Sequence, residues 1–269
     1  MTIELRNLKG TGDFMPQEQR LRQEIIRKLQ DTFEKYGYQP IETPIICYFD
    51  VLASKYAGGA EILKEVYKLN DQGGRELGLR YDLTVPFARL VGMNQEIRMP
   101  FKRYEIGKVY RDGPVKTGRN REFIQCDVDM VGVKSVMAEA ELMMMAVEVY
   151  KMIGLDVYIS YNNRKLLSGI IESVGIQPAS VSEVILSIDK LEKIGNEGVQ
   201  AELLQLGIAA TKINILLNYM KMQPDELTDA LVSKQRNERI VQGVKELNEL
   251  ISYIDDLGIR NALRFTPSL

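Results

Sequence analysis

Two long strand-forming segments separated by a turn-rich loop constrain the fold of this chain most strongly. The first spans residues 99–111 and the second spans 122–131. The intervening residues 112–121 include two glycines and a proline, which favour turns. Because two such segments joined by turn-forming residues pair in opposite directions, the pattern predicts an antiparallel hairpin. A mainly antiparallel sheet built around this hairpin is the first expectation.

The second segment of the predicted hairpin alternates between polar and apolar side chains. One face carries Phe123, Gln125, Asp127 and Asp129, and the other carries Ile124, Cys126, Val128 and Met130. A half-exposed strand with its polar side in solvent gives the same alternation, so that interpretation stays open. An aromatic ring, an amide and two carboxylates on one face would also suit the binding of an amine, an imidazole or a nucleobase.

Basic residues cluster at one end of the hairpin. Arg111 ends the first strand and, in an antiparallel pair, lies at the same end as Phe123. A guanidinium group binds carboxylate or phosphate oxygens through two parallel hydrogen bonds. The loop adds Lys116, Arg119 and Arg121. This loop is either a solvated hairpin tip or an anion-binding segment, and the residues alone leave both hypotheses open.

A carboxylate and a hydroxyl follow a short strand predicted at residues 77–81. Asp82 and Thr84 stand just before a helix predicted over 87–93. They could bind the amino group of a substrate. They could also cap the helix, with Thr84 as the N-cap and Pro86 in the first turn.

Apolar residues recur every fourth position over 17–36, which predicts an amphipathic helix that ends at Gly37. Residues 38–46 form an extended segment whose two prolines exclude a central strand, so we expect an edge or interface strand. A helix over 135–153 and a strand over 156–161 are predicted to follow.

The character of the sequence changes after Arg164, because helical segments dominate from there to Leu257. This change predicts a helical subdomain inserted into the core. We expect a core over 1–165, the helical insertion over 166–245 and a return toward the core over 246–269. A last strand is expected near Asn261–Phe265.

Composition excludes several kinds of chemistry. The chain has no histidine, which rules out Ser-His-Asp and Cys-His catalytic sets and histidine zinc sites within it. Catalysis would depend on carboxylates, arginines and magnesium. The two cysteines, Cys47 and Cys126, are expected to be buried free thiols.

A formal net charge of −2 does not support nucleic-acid binding over the whole surface. No apolar run is long enough to predict a membrane helix, and the first residues do not resemble a secretory signal. We therefore expect a cytoplasmic protein that does not bind membranes.

Several sequence runs resemble one family. Residues 35–44 resemble motif 1 of class II aminoacyl-tRNA synthetases, and 110–123 resemble motif 2, with its arginine strand, basic loop and phenylalanine strand. Longer runs resemble histidyl-tRNA synthetases, namely 9–14, 79–89, 119–129 and 188–193. The resemblance covers almost the whole chain. It implies an α/β fold of the α+β type, with a mainly antiparallel sheet flanked by helices and a helical insertion.

The resemblance also implies substrates and residue roles. The substrates would be L-histidine, ATP with Mg²⁺, and the acceptor end of tRNA(His), and the protein would be a homodimer through motif 1. Arg111 would be catalytic, contacting the α-phosphate and the histidine carboxylate. Asp82, Thr84, Gln125 and Asp129 would bind histidine, Glu122 and Phe123 would bind adenine, and Lys116, Arg119 and Arg121 would meet ATP phosphates and tRNA. No protein ligands for a metal ion are assigned.

Two departures from the family pattern matter. Motif 2 often has a glutamate two residues after its arginine, where this chain has Gly113. The sequence also stops before the second catalytic arginine, motif 3 and the anticodon-binding domain that the resemblance implies, so we expect impaired activity from this portion. Two alternatives remain: a histidine-binding regulatory subunit of ATP phosphoribosyltransferase, and a dimerising scaffold without catalysis.

Overall fold

The computed structural model of the protein describes residues 4–54, 61–231 and 237–269. The chain divides into two compact units, Met1–Val133 and Lys134–Leu269, called here the first and second unit. Helices and strands are mixed, and most strand pairs are antiparallel, so the predicted fold class is confirmed. The expected boundaries at 165/166 and 245/246 stay a prediction.

The first unit contains three helices and six strands in its described part. In chain order they are α1 (Pro16–Lys35), β1 (Gln39–Pro40), β2 (Ile46–Tyr48), α2 (Phe49–Ala53), β3 (Lys68–Asn70), β4 (Glu76–Leu79), α3 (Thr84–Met93), β5 (Phe101–Tyr110) and β6 (Glu122–Val131). A short 3-10 helix, Glu61–Glu65, precedes β3. The predicted hairpin is therefore confirmed, and its second strand has the bounds that the alternation predicted.

The strands of the first unit form two sheets. β5 pairs with β6 along its whole length in antiparallel register, and β1 adds to the other edge of β5 in parallel. The second sheet has the order β2-β4-β3. Because proline cannot complete a strand ladder on both sides, β1 lies at an edge as expected. Helix α1 ends two residues before Gly37, whose positive φ of 79° closes the helix as predicted.

The second unit is mainly helical. Its elements are α4 (Met137–Met152), β7 (Ile159–Tyr161), α5 (Arg164–Ser173), α6 (Val181–Ile188), α7 (Leu191–Gln205), α8 (Ala210–Tyr219), α9 (Pro224–Leu231), α10 (Glu238–Asp256) and β8 (Leu263–Phe265), with 3-10 turns at Pro178–Ser180 and Arg260–Ala262. β8 pairs with β7 in parallel. The run of helices after residue 164 and the final strand thus follow the sequence prediction.

Helices α5 and α10 pack very closely in the core of the second unit. A Cβ atom on Gly243 would lie 2.6 Å from the backbone nitrogen of Leu166, and one on Gly169 would lie 2.7 Å from Ile240. Glycine at both positions lets the two helix backbones approach each other. Asn163 and Asn237 cap the two helices by accepting hydrogen bonds from backbone N–H groups in their first turns.

The prediction of two buried thiols is half wrong. Both cysteines are free, and Cys47 is buried in an apolar cluster with Leu52 and Tyr81. Cys126 is exposed. Alternation assigned Cys126 to the apolar face of β6 but could not tell whether another element covers that face.

Candidate functional site

Arg111 and Phe123 lie together where the β5–β6 hairpin opens into its loop. The Arg111 guanidinium carbon is 5.1 Å from the centre of the Phe123 ring, and its Nε donates a hydrogen bond of 3.1 Å to the Tyr81 carbonyl. The Arg111 N–H donates to the carbonyl of Arg121 at 2.8 Å. These contacts fix both the backbone and the side chain of Arg111. The structure therefore brings this predicted pair together.

Asp82, rather than Thr84, caps helix α3. The helix begins at Thr84 itself, and the Asp82 Oδ1 atom accepts a hydrogen bond of 3.0 Å from the N–H of Val85. The prediction of Thr84 as the N-cap was wrong, because the carboxylate two residues earlier reaches the free N–H groups of the first turn. Asp82 is buried, with 8% of its surface exposed. Its second oxygen is not used by this cap.

Thr84 is exposed and lines a cavity of about 730 Å³ in the first unit. The cavity is bounded by α2 and α3, and its lining consists of Asp50, Val51, Ser54, Thr84, Val85, Ala88 and Arg89. The Thr84 side chain is thus accessible to a small molecule. The two candidate ligands for a substrate amine, Asp82 and Thr84, lie two positions apart at the start of helix α3.

A buried arginine pairs with Asp129. In the β5–β6 register Arg103 lies opposite Asp129, and its guanidinium forms an ion pair with the Asp129 carboxylate. Arg103 is fully buried and stacks on the ring of Phe87 at 4.2 Å. The Gln125 Oε1 atom is also buried and accepts no hydrogen bond among the described residues. A buried acceptor without a partner is costly, which suits a group that binds a ligand.

Asp127 belongs to the same acidic neighbourhood. Burial raises the pKa of its carboxyl, and the negative charges of Asp129, Asp82 and Glu105 raise it further, while the Arg103 guanidinium lowers it. The charges of the predicted residues Asp82 and Asp129 therefore both act on the Asp127 carboxyl. The polar face of the hairpin is therefore partly buried and carries several carboxylates, with Arg103 as the cation that acts on Asp127.

Arg80 links three segments of the first unit, and we call its contacts the Arg80 network. Its Nε donates to the Lys108 carbonyl at 2.9 Å, and its Nη1 donates to the Thr43 carbonyl at 2.6 Å and to Glu105 Oε1 at 2.8 Å. A Cβ atom on Gly107 would lie 2.3 Å from the Arg80 guanidinium. Glycine at position 107 of β5 therefore leaves the space that the Arg80 guanidinium occupies.

The loop over residues 112–121, called here the motif 2 loop, is held at several points. Lys116 and Arg119 exchange backbone hydrogen bonds, and the Arg119 Nη2 atom lies 2.5 Å from Glu65 Oε1. The N–H groups of Arg121 and Glu122 both donate to the Gly10 carbonyl, at 2.8 and 3.2 Å. The loop is thus a folded turn, and the glycine-containing segment near Gly10 supports it.

Glu122 differs from the other predicted site residues. It lies on the opposite face of β6 from Phe123, and its carboxylate pairs with Lys108 at 2.7 Å. The structure therefore brings together Phe123, Gln125 and Asp129 on one strand face, and it does not place the Glu122 side chain with them. A role for Glu122 at a ring bound by Phe123 would use its backbone or require its side chain to move.

The family of the chain follows from comparison with known proteins. A family model described as histidyl-tRNA synthetase matches residues 10–269. This chain belongs to the histidyl-tRNA synthetase family. It is 54% identical over 271 aligned positions to histidine–tRNA ligase 1 of Bacillus cereus, and the match covers 99% of this chain and 63% of that protein. The chain thus spans less than two thirds of the length of this relative.

Solved structures support the same assignment. The crystal structure of histidyl-tRNA synthetase from Nostoc sp. PCC 7120 matches with a TM-score of 0.87 and 28% identity, covering 100% of this chain and 62% of that chain. A Bacillus halodurans structure, titled as an ATP phosphoribosyltransferase regulatory subunit/histidyl-tRNA synthetase, gives 0.85 at 19% identity, covering 100% and 69%. The second likeness shows the shared fold alone.

The sequence predicted candidate ligand-binding residues, but it gave no role to the residues that contact and support them. Arg80, Arg103, Glu105 and Glu65 had no assigned role. A charged residue at an inward-facing strand position, such as Arg103 or Glu105, is the signal that could have indicated a buried ion pair.

Within the described residues, none of the helices combines the length and the apolar character that a membrane span requires.

Proposed function

We propose that this chain provides the L-histidine- and ATP-binding part of a histidine–tRNA ligase. The observation that carries the proposal is the placement of Arg111. Its guanidinium is fixed between the Tyr81 carbonyl and the Phe123 ring, at the end of the hairpin whose polar face carries Gln125 and Asp129. An arginine beside an aromatic ring suits a phosphate next to a stacked base.

The proposed reaction has two steps. A carboxylate oxygen of histidine attacks the α-phosphorus of ATP, the bond to pyrophosphate breaks, and histidyl-adenylate forms. A ribose hydroxyl at the end of tRNA(His) then attacks the carbonyl carbon and AMP leaves. Arg111 would stabilise the negative charge that develops on the phosphate oxygens in the first step. Positioning and electrostatics are sufficient for this step, consistent with a chain that has no histidine.

Magnesium is proposed as part of the ATP substrate. Mg²⁺ commonly binds through substrate phosphates, water and one or two carboxylates rather than through a protein cage. In the described parts of the chain, no group of three or more acidic or cysteine side chains is arranged to hold a metal ion. In the proposed complex, Mg²⁺ would be bound mainly by phosphate oxygens of ATP and by water.

The remaining assignments follow the same proposal. Asp82 and Thr84 would bind the α-amino group of histidine, and Gln125 and Asp129 would bind its imidazole. The adenine contacts would come from Phe123 and Glu122, and the phosphate and tRNA contacts from Lys116, Arg119 and Arg121. Family membership supports a cytoplasmic homodimer formed through residues 35–44, with the core, insertion and return at 1–165, 166–245 and 246–269.

Binding of each substrate to residues 1–269 tests the proposal, measured by titration calorimetry. Asp129→Asn should weaken L-histidine binding about 10- to 100-fold, the worth of one hydrogen bond to a charged group, with little effect on ATP. Phe123→Ala should weaken ATP binding and spare L-histidine. Glu18→Gln, on the exposed side of α1, is the matched control.

The outcomes separate the alternatives. If Asp129→Asn weakens ATP binding more than L-histidine binding, the histidine pocket is wrongly assigned. Saturable binding of L-histidine without any binding of ATP would favour the regulatory-subunit function instead. Because Asp129 also pairs with the buried Arg103, the unfolding free energy of the variant must show that it is folded at the temperature of the titration.

A further inference from the structure

A carboxylate outside motif 2 supports the motif 2 loop. Glu65 ends the 3-10 helix of the first unit, and its carbonyl accepts a hydrogen bond of 2.7 Å from the N–H of Asp112. Its Oε1 atom lies 2.5 Å from Arg119 Nη2. One residue thus contacts both the start of the loop and a basic side chain near its end.

The backbone of the loop is shaped to admit this carboxylate. A Cβ atom on Gly113 would lie 2.8 Å from Glu65 Oε1 and 3.0 Å from Oε2. Any larger residue at position 113 would therefore displace the Glu65 side chain, whose exposed fraction is 18%. The approach of Glu65 depends on the glycine that distinguishes this chain from the usual motif 2 pattern.

One carboxylate oxygen of Glu65 lacks a hydrogen-bond donor among the described residues. The Oε2 atom is buried and accepts no hydrogen bond among the described residues. The nearby Asp112 and Arg121 form a second, longer ion pair at 3.4 Å, so the base of the loop contains charges of both signs. A buried carboxylate oxygen without a partner is expensive, and such groups concentrate where function requires them.

We propose that Glu65 is a positioning residue for the ATP phosphates, acting through Arg119. This inference rests on the proposed function. Glu65 uses one N–H group of the guanidinium and leaves the other donors of Arg119 available to phosphate oxygens. Because Arg119 is long and about half exposed, holding it in one orientation before ATP binds removes an entropic cost of binding.

Glu65→Gln keeps the shape of the side chain and removes its charge, so it tests the proposal with little risk to folding. ATP affinity should fall about 3- to 10-fold, the worth of ordering one long side chain. Adenosine affinity should not change, since adenosine has no phosphate for Arg119 to bind. In an Arg119→Met background the same Glu65→Gln change should have no effect on ATP affinity.

Each contrary result has a distinct meaning. Tighter ATP binding by Glu65→Gln would overturn the proposal, because it would mean that Glu65 competes with phosphate for Arg119. An undiminished effect in the Arg119→Met background would also overturn it. If the unmodified chain binds no ATP, both this inference and the proposed function fail. If ATP binds and Phe123→Ala weakens it while Glu65→Gln does not, only the inference fails.

Discussion

Replacing Arg80 with methionine leaves the Glu105 carboxylate buried without its guanidinium partner. Both side chains are almost completely inaccessible, at 3% and 2% exposure. Among the described residues, Glu105 would keep its hydrogen bonds from the N–H and hydroxyl groups of Thr43, at 2.9 Å each. Methionine is unbranched and can replace the aliphatic part of arginine, so the change removes the charge and the hydrogen bonds while keeping an apolar stem.

The expected cost is large because the loss is asymmetric. Removing one member of a buried ion pair typically costs about 3–5 kcal/mol, since it leaves a charge that is neither hydrated nor paired. The second change, Glu105→Gln, removes that charge while keeping an oxygen for Thr43. We therefore expect Arg80→Met/Glu105→Gln to be about 1–3 kcal/mol more stable than Arg80→Met alone.

Hydrogen exchange of the β5 and β6 amides is the appropriate assay. The chain forms two compact units, so a single global unfolding curve would combine transitions of both. Amides of the hairpin report the opening free energy of the first unit alone. The control is Arg75→Met, because the Arg75–Asp71 pair has the same chemistry but is exposed and should contribute little.

Two results would refute this reasoning. One is an Arg80→Met cost below about 1 kcal/mol, which is the range of surface pairs. The other is additivity, in which the double variant loses as much as the two single variants together. Either would mean that the Arg80 network does not hold the first unit together.

Two further predictions concern packing and pH. Gly243→Ala should destabilise the second unit by about 1–3 kcal/mol, because the added Cβ meets the Leu166 nitrogen, and hydrogen exchange of the α5 and α10 amides would show it; unchanged exchange rates would contradict the close α5–α10 approach. The folded-state pKa of Asp127 is raised, so its contribution to stability is present at acid pH and lost as pH rises through the folded pKa. Asp127→Asn should therefore gain stability relative to the unmodified chain at about pH 7, and this gain should disappear at about pH 3, measured by hydrogen exchange of the β5 and β6 amides at each pH; a gain that grows toward acid pH would contradict the sign.

Periodicity predicted the elements well because it reflects local geometry. Strand β6 follows the alternation of residues 122–131, and α1 follows the four-residue repeat of 17–36. Helix α3 began three residues earlier than predicted, because Asp82 rather than Thr84 satisfies its first N–H groups. Asp and Thr are both common capping residues, so the sequence alone did not decide which of the two serves this helix.

The supporting residues of the site could not be predicted from periodicity. Glu65 and Arg119 are 54 positions apart, and Arg80 lies 37 positions from Thr43. Such pairs form only when separate elements meet, so their partners depend on the tertiary fold. The candidate residues Gln125 and Asp129 were easier to place on one face, because they share one strand whose side chains alternate with period two.

The backbone of Arg80 connects its buried ion pair to the candidate site. Its N–H donates to the Ile45 carbonyl, and its own carbonyl accepts from the N–H of Tyr110, the residue before Arg111. The next residue, Tyr81, accepts the hydrogen bond from Arg111 Nε. Donors held in this way need no reorganisation when charge develops on a substrate, which is the physical basis of electrostatic preorganisation. The buried charges of the Arg80 network therefore stabilise the two backbone segments that orient Arg111.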